Sequence, residues 1–370
     1  CNCINTYGDF RLSPLFGSAP GNNRNVSETD KSGYVQLDFN TQVADMPLRG
    51  NVGVRYVKTA ESAQGYIGTN FVKVDQDYSD TLPSANLSLE VKPNFIIRAA
   101  AAKVMARPQL PNLTPGGSLS TQSATLSNGN PLLQPFRANT TDLSFEWYPD
   151  KDTLLSLGLF QKKISTFIQT LTTSVQFGDT GLPLALLASN QTAATLFTAT
   201  QPVNTSGGTL KGMELSVQKP FTFLPGFWSH FGGIANYTRV SSTINYVLTT
   251  SATAGSTFTT ADLVNLSPTA WNLTLYWENE RFSARASEAY RDRYLSTVPG
   301  GSGNDMRGKS ATHNVDFQAT YKFTPALSLT VEGINLTDQA DDRWISSTRN
   351  SSESYDHFGR QFYVGLRYRR

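Results

Sequence analysis

Leu327 to Asp338 reads LSLTVEGINLTD, and Gln361 to Arg370, the last ten residues, reads QFYVGLRYRR. Both alternate apolar and polar residues, the period of a strand with two different faces. The second runs straight into the C-terminus. A soluble sandwich can end its last strand anywhere, whereas a membrane barrel needs a closing strand, since lipid offers no partner for a bare edge.

The same alternation recurs upstream. Leu143, Phe145 and Trp147 share one face, and Asp142, Ser144 and Glu146 the other. Leu155, Leu157 and Leu159 form a similar stripe, as do Met213, Leu215 and Val217. Trp271, Leu273, Leu275 and Trp277 alternate with Asn272, Thr274, Tyr276 and Glu278; Val315, Phe317, Ala319 and Tyr321 follow the same rule. Aromatics gather towards the stripe ends, as an interfacial girdle requires.

The connections sort into two kinds. Short turns are predicted at Asp45–Leu48, Lys92–Asn94, Pro149–Asp152, Lys219–Phe227, Asn279–Glu280 and Phe323–Pro325, rich in Pro, Asn and Asp. Long polar loops are predicted at Ala60–Thr81, Ala106–Phe136, Thr172–Gly207, Ser241–Ser267, Arg291–Thr312 and Gln339–His357. Short turns on one side and long loops on the other mark an outer-membrane barrel. The expected fold is all-β: an antiparallel transmembrane β-barrel with 13 strands, the first over Gly33–Ala44 and the last over Gly359–Arg370. A single-chain bacterial barrel closes with an even number, so the missing part is expected upstream. Residues 1–32 are then expected as an extracellular loop and 33–370 as the C-terminal part of the barrel.

Composition agrees. The 370 residues carry 31 basic and 29 acidic side chains, a net +2 that implies no nucleic-acid partner. Hydrophobics make up 39%, and no run of about 18 apolar residues allows a membrane-spanning helix. A barrel strand needs apolar residues at every second position only. Cys1 and Cys3 leave three readings open: a strained local bridge, pairing with cysteines upstream, or a lipidated Cys1. His230, His313 and His357 are scattered, so no zinc set exists. No catalytic constellation, metal site or cofactor is expected. The acidic groups Asp75, Asp77 and Asp80, and Asp338 with Asp341 and Asp342, read as solvated loop surface, with calcium as the alternative. The sequons at Asn139, Asn236, Asn272 and Asn335 read chiefly as lumen residues, because several fall on the polar faces of strands. Ala99–Ala102 reads as a closely packed strand.

Four motifs carry a family resemblance: Gly333-Ile334-Asn335-Leu336-Thr337-Asp338; Ala106-Arg107-Pro108 followed by Leu110, Leu113, Thr114, Pro115 and Gly116; Gly129-Asn130-Pro131-Leu132-Leu133-Gln134-Pro135 leading into Glu146-Trp147-Tyr148; and Leu48 to Tyr56. In order and spacing the chain resembles the C-terminal barrel half of a TonB-dependent outer-membrane receptor of the Xanthomonas and Caulobacter type. That resemblance implies a barrel of about 22 strands, here strands ten to twenty-two, in the bacterial outer membrane. It also implies a transporter and not an enzyme, in which a plug domain contacts the TonB–ExbB–ExbD complex. The plug is expected to be absent from this chain, and Tyr368-Arg369-Arg370 departs from the aromatic residue that usually ends the family. The implied partners are the N-terminal half of the same barrel, outer-membrane lipid and a small solute.

Carbohydrate is the first solute expected, and an iron siderophore the alternative. Flat aromatics would hold sugar rings while Arg, Asp and Asn fix their hydroxyls. The substrate-binding candidates are Arg291, Arg293 and Tyr294 in one loop and Asp341, Asp342, Arg343 and Trp344 in another, with Arg349, Tyr355 and His357 beyond. The bland reading has these aromatics anchoring loops and the charges pairing with one another. A passive porin-like channel, a surface adhesin and a secreted soluble β-protein remain as rivals.

Overall fold

A computed structural model describes residues 24–67, 70–180, 182–251, 255–301 and 303–369. Cys1, Cys3, Arg370 and most of the expected N-terminal loop lie outside them. Thirteen long strands form one meander: β1 (Arg24–Val43), β2 (Met46–Ile67), β3 (Asn70–Lys92), β4 (Phe95–Ala106), β7 (Phe136–Trp147), β8 (Leu154–Gln176), β9 (Leu196–Pro220), β10 (Phe231–Ser251), β12 (Thr269–Glu278), β13 (Phe282–Arg291), β16 (Thr312–Lys322), β17 (Leu327–Ile334) and β20 (Gln361–Tyr368). Each pairs antiparallel with the next along this order. Three short strands, β5 (Gly117–Ser120), β6 (Thr125–Asn128) and β11 (Gly255–Ala261), join the same sheet.

The wall is inside-out relative to a soluble protein. Val54, Leu143, Leu159, Leu215, Leu275, Phe317 and Val331 are all exposed, although they form the apolar stripes. On the opposite face polar residues bond across strands. Asn86 donates to Asn51 at 2.8 Å, Arg98 to Glu146 at 3.0 Å, and Gln318 to Glu332 at 2.6 Å. The stripes therefore face away from the molecule, with no second protein layer over them. A soluble sandwich would bury them. No helix among the described residues is long and apolar enough to cross a membrane.

Residues with positive φ shape the short turns. Ala44 and Asp45 (φ 50° and 61°) join β1 to β2, and Asn94 (φ 67°) joins β3 to β4. The first turn falls a residue or so ahead of the expected position. The turn after β9 spans 221–230 and is longer than expected. There Phe227, Trp228 and Phe231 cluster with Trp277, whose Nε1 donates to the Phe227 carbonyl at 3.1 Å. This is an aromatic belt at one edge of the apolar band; Trp271 stacked on Tyr290 at 3.9 Å marks the other.

The Gly333–Asp338 motif ends β17. Asn335 sits at φ 55°, accepts from the Gln339 amide at 2.7 Å, and donates to the carbonyls of Gln339 and Gly359 at 3.1 Å each. Thr337 donates to the His313 carbonyl at 2.6 Å. The motif thus fastens β16, β17 and the entry to β20. Asn335 is therefore a turn residue and not a lumen one, and Asn139, opposite Lys103 and Lys163, falls on the outward face. Asn335→Ala is expected to cost about 1–2 kcal/mol, from the lost bonds and the strained φ. Denaturant unfolding checks this.

Three of the six expected long loops, 60–81, 172–207 and 241–267, are wholly or partly continued strand. β2 and β3 pair residue by residue up to Ile67 and Asn70, and β8 and β9 up to Gln176 and Leu196. The first strand likewise starts at Arg24 and not Gly33. Beyond the membrane the outer face of these arms meets water and the inner face mixes polar residues such as Thr59 and Glu61 with apolar ones, so the apolar stripe breaks up and they read as loops. The arms are tied together. β5 pairs with β2 at Ile67, β6 pairs with β9 at Thr198–Thr200, and the β5–β6 hairpin thereby closes a ring of eight strands.

The buried apolar residues lie in this outer region. Ile67, Val72, Leu126, Phe177, Leu182, Phe197 and Ala199 form one cluster, and Phe167, Ile244, Tyr246 and Val298 a second. The segment between β4 and β7 is pinned at both ends by arginine. Arg107 bonds Asp30 at 2.6 Å and lies 3.1 Å from Glu28; Arg137 bonds Asp80 at 2.5 Å. Asp80 is thus a buried ion-pair partner and not solvated loop, while Asp75 and Asp77 pair at the surface with Lys73 and Lys58.

Candidate ligand-binding surface

The two expected binding loops meet in a second, four-stranded sheet: β14 (Tyr294–Thr297), β15 (Arg307–Lys309), β18 (Asp341–Ile345) and β19 (Ser351–Asp356). β15 is the link, since Gly308 pairs with Trp344 and Lys309 with Arg343. Gly308 is required by packing: a Cβ there would come within 2.2 Å of the Trp344 ring. Trp344 is consequently buried, and its Nε1 has no hydrogen-bond partner.

All seven expected residues sit on or beside this sheet, but several are committed to it. Arg291 donates to the Ser267 hydroxyl at 2.7 Å and the Asn265 carbonyl at 2.9 Å, and covers the Tyr294 ring at 3.9 Å. Arg293 lies 4.8 Å from the Trp344 ring centre. Lys309 bonds Asp341 at 2.8 Å, and Ser310 donates to Asp342 at 2.9 Å. The Lys309 hydrogen bond, with the charges of Lys309 and Arg343, holds the Asp341 carboxyl below its ordinary range against a smaller opposing effect of burial.

Arg293 and Arg343 keep exposed guanidiniums, and Tyr355 an exposed ring. Arg349 bonds Asn304 at 2.8 Å, and His357 lies 3.1 Å from Asp338. Lys309 and Ser310 fix the two aspartates, and the sequence offered no signal for them: they act only because β15 lies beside β18. Among the described residues no group of three His, Cys, Asp or Glu could hold a metal ion.

Asp341 gives a pH prediction. Its folded pKa is lowered, so its contribution is full above the ordinary carboxylate value of 3.8 and fades as pH falls through the lower folded value. Amide exchange over 341–345 should accelerate below about pH 4, beyond the intrinsic pH trend, and Asp341→Asn should abolish that pH dependence.

The sequence matches the family model of the TonB-dependent receptor-like β-barrel over residues 4–336. No curated protein matches it. Among solved structures it is similar to the ferric-catecholate import receptor Fiu of K12 E. coli, at 17% identity and a TM-score of 0.59, covering 93% of this chain and 45% of that one. The siderophore receptor PirA of Acinetobacter baumannii follows at 15% and 0.55, with 93% and 55% covered. A mutant ferric enterobactin receptor PfeA of Pseudomonas aeruginosa, in complex with enterobactin, stands at 14% and 0.55, with 93% and 54% covered. The chain spans about half the length of these structures. On the family match over most of its length, and on a lipid-facing wall of thirteen strands, the chain belongs to the TonB-dependent receptor β-barrel family of the outer membrane.

Proposed function

We propose that this chain is wall and outer cover of a receptor for TonB-driven uptake of a ferric siderophore. One observation carries the choice of solute: the rings of Trp344 and Tyr294 are committed to the sheet and only that of Tyr355 is open, whereas the guanidiniums of Arg293 and Arg343 remain exposed. Trp344 is buried and Tyr294 lies under Arg291, while Arg293 and Arg343 are exposed, Arg343 3.6 Å from Asp341. Exposed guanidiniums suit an anionic chelate better than a neutral oligosaccharide. The solved structures of similar fold, which are ferric-catecholate, siderophore and enterobactin receptors, favour the same reading. Iron would be cargo held by the chelator's own oxygens.

Two further elements belong to the proposal. Among the described residues β1 pairs only with β2 and β20 only with β17, and bare edges are costly in lipid. More wall strands, from the N-terminal half of the same barrel, would satisfy them. A plug would couple the wall to TonB–ExbB–ExbD, which would supply the energy.

The test is uptake of radiolabelled ferric enterobactin and of labelled maltodextrin by a strain lacking the gene and by a TonB-deficient strain. Iron uptake should fall at least about tenfold in both, with maltodextrin unaffected. Loss of maltodextrin uptake alone would restore the carbohydrate reading. Undiminished uptake without TonB would make this a passive channel.

A further inference from the structure

Where β10 leaves β9 after Ile244 it crosses to β8, and Thr250 lies opposite Thr173. Its pairing with β11 slips between Val247 and Thr249 near the same point. Gln169 of β8 fills that gap and is 4% exposed. Its carboxamide accepts from the Val247 amide at 3.2 Å and donates to the Val247 carbonyl at 2.6 Å, as a neighbouring strand would. Its second amide hydrogen goes to the Val298 carbonyl at 3.1 Å. One acceptor and two donors are all in use, and among side chains only a carboxamide offers that set. A carboxylate of the same size has no donor, and an apolar side chain leaves three backbone groups unpaired.

The joint sits in apolar surroundings, where Phe167, Ile244, Tyr246 and Val298 pack together. The Phe167 ring meets those of Phe136 and Tyr246 at 5.7 and 5.9 Å. Val298 follows β14 directly, and Arg293 directly precedes it. β14 is therefore held at two points outside its own sheet. The Leu295 carbonyl accepts from the Asn265 amide at 2.6 Å, beside the Arg291 anchor, and the Val298 carbonyl accepts from Gln169. Without the second point β14 could tilt about the first, carrying Arg293 off the Trp344 ring that it covers at 4.8 Å.

We propose that Gln169 is a positioning residue for solute capture: it fastens the end of β14 to the β8 arm and so aims the exposed Arg293 guanidinium at an anionic chelate. This role rests on the ferric-siderophore reading, and Gln169, being buried, acts through Arg293.

The test uses the complete receptor in mild detergent, with binding of ferric enterobactin read by quenching of tryptophan fluorescence. Relative to wild type at the same pH, Gln169→Leu should weaken binding about tenfold at both about pH 8 and about pH 6. Gln169→Glu should lose as much at the higher pH, where a buried carboxylate faces two carbonyls. Such surroundings raise a carboxyl pKa, so at the lower pH protonation returns one donor and binding recovers to within about threefold of wild type. A merely structural defect would show no such recovery. Arg293→Gln should also cost about tenfold, and adding it to Gln169→Leu no more than about twofold further, since both remove the same contact. Amide exchange over 293–298 should rise at least about tenfold in Gln169→Leu, with β12 and β13 unchanged. If Gln169→Leu fails to fold, Gln169→Glu compared at the two pH values in one preparation carries the test. Wild-type affinity in Gln169→Leu, no recovery of Gln169→Glu at the lower pH, or fully additive losses with Arg293→Gln would each overturn the proposal. A wild-type receptor that binds no ferric enterobactin fails the solute reading instead, and unchanged exchange over 293–298 would then overturn the joint as well.

Discussion

Phe197→Ala should loosen the outer cover of this protein and leave its membrane wall closed. Phe197 is fully buried at the start of β9, its ring 5.0 Å from that of Phe177, and both pack with Ile67, Leu126 and Ala199. Truncating such a ring leaves a cavity and costs about 3–5 kcal/mol. In a single cooperative core that cost would spread over the whole molecule. Here the buried apolar side chains lie in the arms, at or beyond Val57, Leu210 and Val240 on their strands, while the stripe below them faces lipid. The arms open to water locally, and the wall is held by lipid and by strand pairing. Hydrogen exchange should rise a hundredfold or more at the tips of β2, β3, β8 and β9 and in β5 and β6. The amides of β12, β13, β16 and β17 should not change. Equal acceleration in those strands would show that cover and wall form one unit.

That division explains what the residues revealed and what they hid. Leu143, Phe145 and Trp147 announce a strand because one side must meet hydrocarbon and the other water. Lys58 to Gln64 and Lys73 to Ser79 are strands as well, but both their faces meet polar surroundings or each other, so the period-two signal fades and they read as loop. Asp80 and Arg137 were legible only as charged loop residues. Their pairing spans 57 positions and depends on the β2–β3 arm rising beside the entry to β7. The binding candidates fared similarly. Arg291, Tyr294, Asp341 and Trp344 were identifiable by type, but the neutralising roles of Lys309 and Ser310 follow from a contact between β15 and β18 that no local pattern encodes. Gly308 is the one sequence hint, and only against the Trp344 ring does it acquire meaning.

Leu215→Arg tests the wall itself. Leu215 pairs with Leu157 on β8 and Tyr237 on β10, is 44% exposed, and sits within the apolar band between Met213 and Val217. An arginine there must keep its guanidinium in hydrocarbon or bend it towards an interface, a cost of about 2–4 kcal/mol near the midplane. Its chain neighbour Glu214 faces the opposite way, among Gly158 and Thr238, in the polar interior. Glu214→Arg should therefore change stability by no more than about 0.5 kcal/mol, the range of a solvated surface substitution. The two positions are adjacent in sequence, share backbone pairing and receive the same side chain, so the contrast isolates the solvent each one meets. Reversible denaturant unfolding in lipid vesicles measures both. Similar costs at the two positions would mean that the stripes do not lie in lipid, and the membrane reading of this fold would fail with them.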